Sequence, residues 1–286
     1  MITVVVLGTA QDGGVPHLGC RQPRCERARR DPAFARRVTS LGIIDSVAGQ
    51  SFLVDATPDV RAQLDALTTH SLAPPVEGRN PVHGLFLTHA HIGHYTGLVQ
   101  FGKEVMATRA LPAYCTAAMR DFLQANGPWS QLLKDGHLQI ELLGDDQPLR
   151  LTDGLTVRSF RVPHRQEWSD TIGLELIGAS KRLLYIPDID RWSDWPVDLR
   201  AVVSACEIAL LDGCFFDGGE LSGRSMAEVP HPWMVDTMER LAGIRTQVLF
   251  THMNHTNPAL DDDSSERRLI EARGFGVARD GMEFTL

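Results

Sequence analysis

"LFLTHAHIGHYTGL", residues 85–98, sets three histidines within six positions directly after an apolar run. Side chains alternate between the two faces of an extended segment, so His89 and His91 of "HAH" share one face. His94 follows once the chain has turned toward a helix. Three imidazoles this close, delivered at the end of a buried strand, read as part of a metal cradle. Taken one at a time, a histidine at a strand end is more often a hydrogen-bonded core or rim residue than a ligand.

The conjunction weighs against that bland reading. His164 follows "RSFRVP", Asp188 follows "RLLYIP", and His252 follows "QVLFT". Each stands at the end of an apolar strand run, where side chains from separate strands converge on one edge of a sheet. Tetrahedral or octahedral coordination needs such convergence, because the ligands must arrive from several directions. The competing account of Asp188 is a turn cap in "PDIDRW". His70, His83 and His137 lack this context and read as surface or structural residues.

The rest of the chain frames those strand ends. "ITVVVLG" is a first strand that runs into the loop "TAQDGGVPHLGC", and "RQPRCERARRDPAFARR" is basic and helical or irregular. "SLGIIDS" and "SFLVDA" form a hairpin across "VAGQ". "PDVRAQLDAL" has helical apolar spacing behind an early proline, and "TTHSLAPPVEGRNP" is loop by composition. "TGLVQFGKEVMA" and "TAAMRDFLQANG" read as helices. Strands "LQIELLG", "LTVRSFRVP", "TIGLELIG", "RLLYIPD" and "IALLDGCF" follow, then helices in "PWMVDTMERLAG" and "SSERRLIEARG". The last stretch, "FGVARDGMEFTL", reads as a hairpin turned by Asp-Gly. The expectation is two sheets packed face to face with helices outside, in one domain over residues 1–286, since no repeat or linker breaks the chain.

Composition bounds the function. At 286 residues, 43% hydrophobic and 22% charged, the chain buries a full core without disulfides. A formal charge of −8 argues against a nucleic-acid partner but not against a small anionic substrate, because a bound metal dominates its local field. "MITVVVLGTAQDGG" carries a strand-length apolar run rather than an export signal, and no longer apolar stretch occurs, so no membrane partner is expected. Five cysteines without an export signal point to a reducing, cytoplasmic setting. Cys115, Cys206 and Cys214 read as small packing residues. A small-molecule substrate is the expected partner, and a homodimer the usual assembly.

The ordered set of an Asp after an early strand (Asp55), the HxHxxH run, then His164, Asp188 and His252 resembles the metallo-β-lactamase fold superfamily. The stretches "VVVLGTAQDGGVPHLGC", "SFLVDATPDVRAQL" and "THMNHTNPALDDDSSERRLIEARGFGVARDGMEFTL" narrow the resemblance to the coenzyme PQQ biosynthesis protein B family, over nearly the whole chain. The resemblance implies an αββα four-layer sandwich with its site at one edge of both sheets. It implies that His89, His91 and His164 hold one metal, that His94 and His252 hold a second, that Asp188 bridges, and that Asp55 supports from behind. It also implies zinc, one or two ions, with iron or manganese as alternatives. The wider superfamily has HxHxDH where this chain has Gly93 in place of the acid, which removes one ligand and one negative charge from the second position.

"GCRQPRC" resembles the structural zinc loop of the phosphonate-pathway cyclic phosphodiesterases, in which three cysteines meet the last histidine of an HxxH pair. Cys20, Cys25 and His255 carry over, Gln22 replaces the middle cysteine, and His17 is a stand-in for it. Two free thiols beside a rim histidine is the equal alternative.

Three functions follow. The first is a metal-dependent hydrolase of esters, lactones or phosphodiesters, with Asp188 and His252 at the chemistry. The second is a non-haem iron oxygenase, since His94, His252 and Asp188 match a two-His-one-carboxylate count. The third is a carrier of a quinone or its precursor. Asp12 in "AQDGG" is in reach of the site, but a turn-former beside two glycines is the preferred reading. His231 reads as a helix-capping residue before a substrate contact, and Trp168, Phe215 and Phe216 read equally as pocket walls or packing.

Overall fold

Strand β1 (Ile2–Gly8) is buried along its whole length, and its alternate residues serve two different cores. Val4 and Val6 face inward to a second sheet, while Val5 and Leu7 face outward to helices. That division, with a period of two, repeats across the molecule and explains why its strands read as continuous apolar runs. The computed structural model describes residues 1–76, 78–220 and 230–286.

After β1 come α1 (Pro23–Arg30), β2 (Ser40–Asp45), β3 (Gln50–Val54), α2 (Val60–Thr68), β4 (Gly84–Phe86) and α3 (Ile92–Tyr95). Next are β5 (Leu111–Cys115), α4 (Ala117–Ala125), α5 (Trp129–Lys134), β6 (Leu138–Leu142), β7 (Pro148–Arg150), β8 (Thr156–Val162), β9 (Thr171–Ile177) and β10 (Arg182–Ile186). The chain ends with α6 (Leu199–Ser204), β11 (Ile208–Asp212), α7 (Met234–Arg240), β12 (Gln247–Thr251), α8 (Ser265–Ala272), β13 (Gly276–Val277) and β14 (Glu283–Thr285). Among the described residues the first sheet runs β14-β1-β2-β3-β4-β5-β6 and the second β13-β12-β11-β10-β9-β8-β7.

Three apolar layers hold the sandwich together. Between the sheets, Val4, Val6, Leu41, Ile43, Phe52 and Phe86 meet Leu174, Leu176, Leu183, Tyr185, Leu210 and Leu249. On the first sheet's outer face, Leu53, Leu85 and Leu87 pack under Val60, Leu64 and Leu67 of α2 and Met119 and Leu123 of α4. On the second sheet's outer face, Leu184, Ile186, Leu211 and Phe250 pack under Val203, Met234, Met238 and Ile270. Each such fully buried side chain contributes about 1.5–3 kcal/mol. The expected αββα sandwich is the observed fold.

The topology brings one end of many strands to a common edge. β3 and β4 pair in parallel, as do β10 with β11 and β11 with β12. β8 is antiparallel to β9, and β9 to β10, so β8 ends beside β10. The residues following β3, β4, β8, β10 and β12 are therefore neighbours at that edge.

Two local expectations change. The C-terminal stretch is no hairpin: β13 pairs in parallel with β12 in the second sheet, and β14 pairs antiparallel with β1 in the first. Asp280 anchors the crossing by accepting hydrogen bonds from Thr9 Oγ1 (3.0 Å) and the Arg37 N–H (2.9 Å). The two free sheet edges outcompete the local pairing that Asp-Gly would favour. Residues 96–107 do not form a continuous α-helix either. Thr96–Phe101 is a 3-10 turn, and within it Gly97 lies so close to the neighbouring backbone that a Cβ there would stand 2.1 Å from the Thr57 carbonyl oxygen. No helix among the described residues is long and apolar enough to cross a membrane.

Candidate metal centre

Asp188 is the hub. It follows β10, is buried, and has six imidazoles around its carboxylate. His164 Nε2 lies 3.1 Å from its Oδ1, His231 Nδ1 3.4 Å from the same oxygen, and His89 Nε2 3.3 Å from Oδ2. His252 (3.7 Å), His94 (3.9 Å) and His91 (4.0 Å) complete the ring around Oδ2. The structure thus brings together His89, His91, His94, His164, Asp188 and His252, all read from the sequence. His89, His91, His164 and Asp188 offer ligand atoms within 4.8 Å of one another, and so do Asp12, His94 and His252.

Supporting residues orient the rings. Asp55 follows β3, is fully buried in the left-handed region (φ 63°), and accepts from the Thr88 N–H (2.8 Å). Its Oδ2 lies 2.8 Å from His94 Nδ1, which turns Nε2 of that ring toward the centre. His252 is likewise left-handed (φ 57°), held by the Met253 N–H bonding to the Thr9 carbonyl (2.9 Å). Two non-glycine residues in this region at one site mark backbone held in place by its surroundings. Asp190 fixes His164 through Nδ1 (2.7 Å), and Glu167 reaches Nε2 of the half-buried His91 (3.1 Å).

Opposing electrostatic effects split the histidines. Burial works against protonation of His94, yet Asp55, Asp12 and Asp188 raise it above its ordinary value. Burial also opposes His164, but Asp188 and Asp190 lift it to about 10. Burial, then the neighbouring His94, pushes His89 well below the usual range, and burial does the same to His252. For Asp188 burial pushes upward, but His164, His252 and His231 hold it well below the usual carboxylate range.

The polar atoms fit a metal. Among the described residues, His89 Nε2, His94 Nε2, both ring nitrogens of His252, Asp188 Oδ1 and Asp12 Oδ1 are buried without a hydrogen-bond partner. Buried polar atoms left unmatched cost about 1–3 kcal/mol each, and here they converge on one point. A divalent cation matches that donor set of neutral imidazoles and a carboxylate.

The chain matches the beta-lactamase superfamily domain model over residues 50–253. The chain belongs to the beta-lactamase superfamily. Within it, the chain belongs with the coenzyme PQQ synthesis protein B family. The protein of that name from Methylobacterium radiotolerans is 30% identical over 99% of both chains, and that of Methylobacterium sp. strain 4-46 is 30% identical over the same share. Among solved structures, zinc-bound PqqB from Methylobacterium extorquens superposes with a TM-score of 0.85 at 27% identity, covering 99% of this chain and 100% of that one. A diphosphatase of the PhnP family shares the fold at a TM-score of 0.69 and 19% identity, covering 99% and 96%.

Several residues depart from their sequence reading. His231 does not cap α7, whose N-cap is Trp233. Its ring is buried, with Nδ1 2.8 Å from Asp212 Oδ2 and Nε2 unpartnered. Asp212 ends β11 and also accepts from the Ile189 N–H (3.1 Å), which ties down the loop bearing Asp188. The strand-end rule that found Asp188 points to Asp212 in "IALLDGCF" as well. Asp12 makes no hydrogen bond of the kind a turn-forming carboxylate makes; it faces His94 at 3.9 Å. Trp168 is largely exposed, whereas Phe215 and Phe216 are core residues, Phe215 lying edge-on to His231. His70, His83 and His137 lie away from the centre, bonded to Glu283, the Ser51 N–H and the Thr108 carbonyl. Burial lifts the Cys115 and Cys206 thiols to about 12.

A second cluster lies nearby. Cys20, Cys25 and His255 offer ligand atoms within 4.8 Å, with Cys25 Sγ 3.7 Å from His255 Nδ1. The His17 ring lies 4.3 Å from that of His255, while Gln22 is exposed.

Proposed function

We propose that this protein is a metal-dependent hydrolase of esters, lactones or phosphodiesters. The observation that carries the reading is the convergence of buried, unpartnered imidazole nitrogens on Asp188, with a second His–Asp pair, His231–Asp212, alongside. His89, His91, His164 and Asp188 would hold the principal ion, and His94, His252 and Asp188 face a second position. Zinc suits the imidazole-rich set, and the zinc-bound relative supports that choice. When bound, the metal supplies Lewis acidity and an activated water.

The chain's own residues divide the remaining work. Asp188, ringed by six imidazoles, would hold the ion and orient a water bound beside it. His231, anchored through Nδ1 on Asp212 with its Nε2 left free among the described residues, is placed to give a proton to the leaving oxygen, and Asp212 and Asp188 raise its pKa against the opposing effect of burial. His231 also lines a cleft of about 220 Å³ with Arg191, Arg240 and Asp236, whose balance of two cations against one carboxylate favours an anionic substrate such as a phosphodiester. The oxygenase reading rests on a bare two-His-one-carboxylate count, and Asp12 beside His94 and His252 adds a further carboxylate to it. The Cys20–Cys25–His255 cluster, with His17 beside it, is read as a structural zinc site.

The test is hydrolysis of a phosphodiester, a carboxylic ester and a lactone by protein loaded in turn with zinc, manganese or iron, alongside His89→Ala. Metal-dependent turnover that falls at least about 100-fold in the variant is expected. Oxygen consumption by the iron form without hydrolysis by any form would overturn the hydrolase reading.

A further inference from the structure

We propose that Asp12, from the loop after β1, supplies the carboxylate that Gly93 lacks, so that Asp12 joins His94 and His252 around a second ion. This rests on reading the site as a metal centre. A Cβ built on Gly93 would stand 2.0 Å from Asp12 Oδ1, 2.8 Å from its Cγ and 2.9 Å from its Cα. The two shortest contacts are with the Asp12 side chain, and the third, with backbone, needs the loop to give by only a few tenths of an ångström. A side chain at position 93 and the Asp12 carboxylate exclude one another, and the same small volume is filled once.

The chemistry at that volume is a ligand's. Asp12 Oδ1 is buried and has no hydrogen-bond partner among the described residues, although the Asp12 residue as a whole is only half-buried. It stands 3.9 Å from His94 Nε2, which is itself buried and unpartnered, as is His252 Nε2. That separation is too long for a hydrogen bond. Two ligand atoms each about 2.1 Å from one ion lie no more than about 4.2 Å apart, so a shared cation accounts for the spacing.

The loop is positioned rather than merely nearby. The Gln11 N–H bonds to the Met253 carbonyl (2.9 Å) and the Met253 N–H to the Thr9 carbonyl (2.9 Å), so the Asp12 loop and the His252 segment are clamped together. The Gly14 N–H closes a turn onto the Gln11 carbonyl (2.8 Å), which leaves the Asp12 side chain free of that duty. The charge lost by having glycine at position 93 is thereby returned from another part of the chain.

The experiment is stoichiometric and needs no substrate. Metal-stripped wild type, His89→Ala, Cys25→Ala, Asp12→Asn, Gly93→Asp and the exchange variant Asp12→Gly/Gly93→Asp are each titrated with zinc by calorimetry, and ions retained after gel filtration are counted by elemental analysis. Circular dichroism confirms that each variant is folded. Asp12→Asn is expected to weaken one ion at least about 100-fold, more than the loss of an outer hydrogen bond to a ligand costs, while the ion dependent on His89 stays. Gly93→Asp alone is expected to fold less stably, and the exchange variant to recover the weakened ion. Asp12→Asn binding every ion within about twofold of wild type overturns the assignment while leaving the metal centre standing. A wild type whose only ions are those lost in Cys25→Ala overturns both.

Discussion

At the scale of single residues, His231 makes the clearest separable contribution. Its Nδ1 is committed to Asp212 and its Nε2 is buried without a partner, so one nitrogen is anchored and the other presented. As a proton donor it matters in proportion to how badly the leaving group needs a proton. His231→Ala is therefore expected to slow a phosphodiester with an alkoxide leaving group by about 10²–10⁴ and to leave a p-nitrophenolate leaving group much less affected. Its metal content should match wild type. Because Asp212 and Asp188 raise the ring's pKa above the ordinary histidine value against the effect of burial, the donor form extends to higher pH than in a free imidazole. Steady-state rates on the two substrates across pH check this; equal losses on both would assign His231 a purely structural role.

At the scale of elements, the β2–β3 hairpin shows how a polar residue is built into a strand end. Asp45 is buried and accepts from the Val47 N–H (3.0 Å), the Ala48 N–H (3.1 Å) and Thr152 Oγ1 (2.6 Å). Burial pushes its carboxyl upward, but those three donors and the N-terminal amino group hold it below the ordinary value. Asp45→Ala is expected to cost about 2–3 kcal/mol at neutral pH, since hydrogen bonds to a charged group are the stronger kind. The sign follows from the depressed pKa: the contribution is full above the unfolded carboxylate's range near 4 and is lost as pH falls through the lower folded value. Denaturant unfolding of both proteins at several pH values measures it, with the gap expected to close toward low pH. A gap independent of pH would mean that the side chain acts through packing alone.

The elements also show what the sequence could and could not carry. Strands buried on both faces are legible as apolar runs, and the sites at their ends follow from where the runs stop, as His164 and His252 do. β5 escaped because "LPAYC" is short and begins with Leu-Pro, and α6 because "LRAVVS" is only six residues. The partners of β13 and β14 were illegible because sheet edges far off in sequence decide them. Asp12 and His231 sit in loops, where no periodicity fixes direction, so their chemistry depends on contacts that only the folded chain supplies. Gly93 carried half of the Asp12 signal; the other half was the identity of whatever fills the space.

At the scale of the whole molecule, the metal centre is a seam between the two sheets. His89, His91 and His94 come from the first sheet's edge, whereas His164, Asp188 and His252 come from the second's. Stripped of a cation, that seam holds several buried nitrogens without partners and histidines that repel one another's protonated forms. An ion that binds the folded chain and not the unfolded one stabilises it by about 2.7 kcal/mol when present at 100 times its dissociation constant. For a chain of this size that corresponds to a rise in melting temperature of about 4–5 °C. Chelation is therefore expected to lower the melting temperature by that much and zinc to restore it. The Cys20–Cys25–His255 cluster ties the loop after β1 to the segment after β12 and should account for a separate share. Differential scanning calorimetry on wild type, His89→Ala and Cys25→Ala, each with and without chelator, resolves the two. His89→Ala should keep only the share that Cys25→Ala loses. If all three proteins melt at the same temperature with and without metal, the seam is closed by the chain alone and neither cluster binds a stabilising ion.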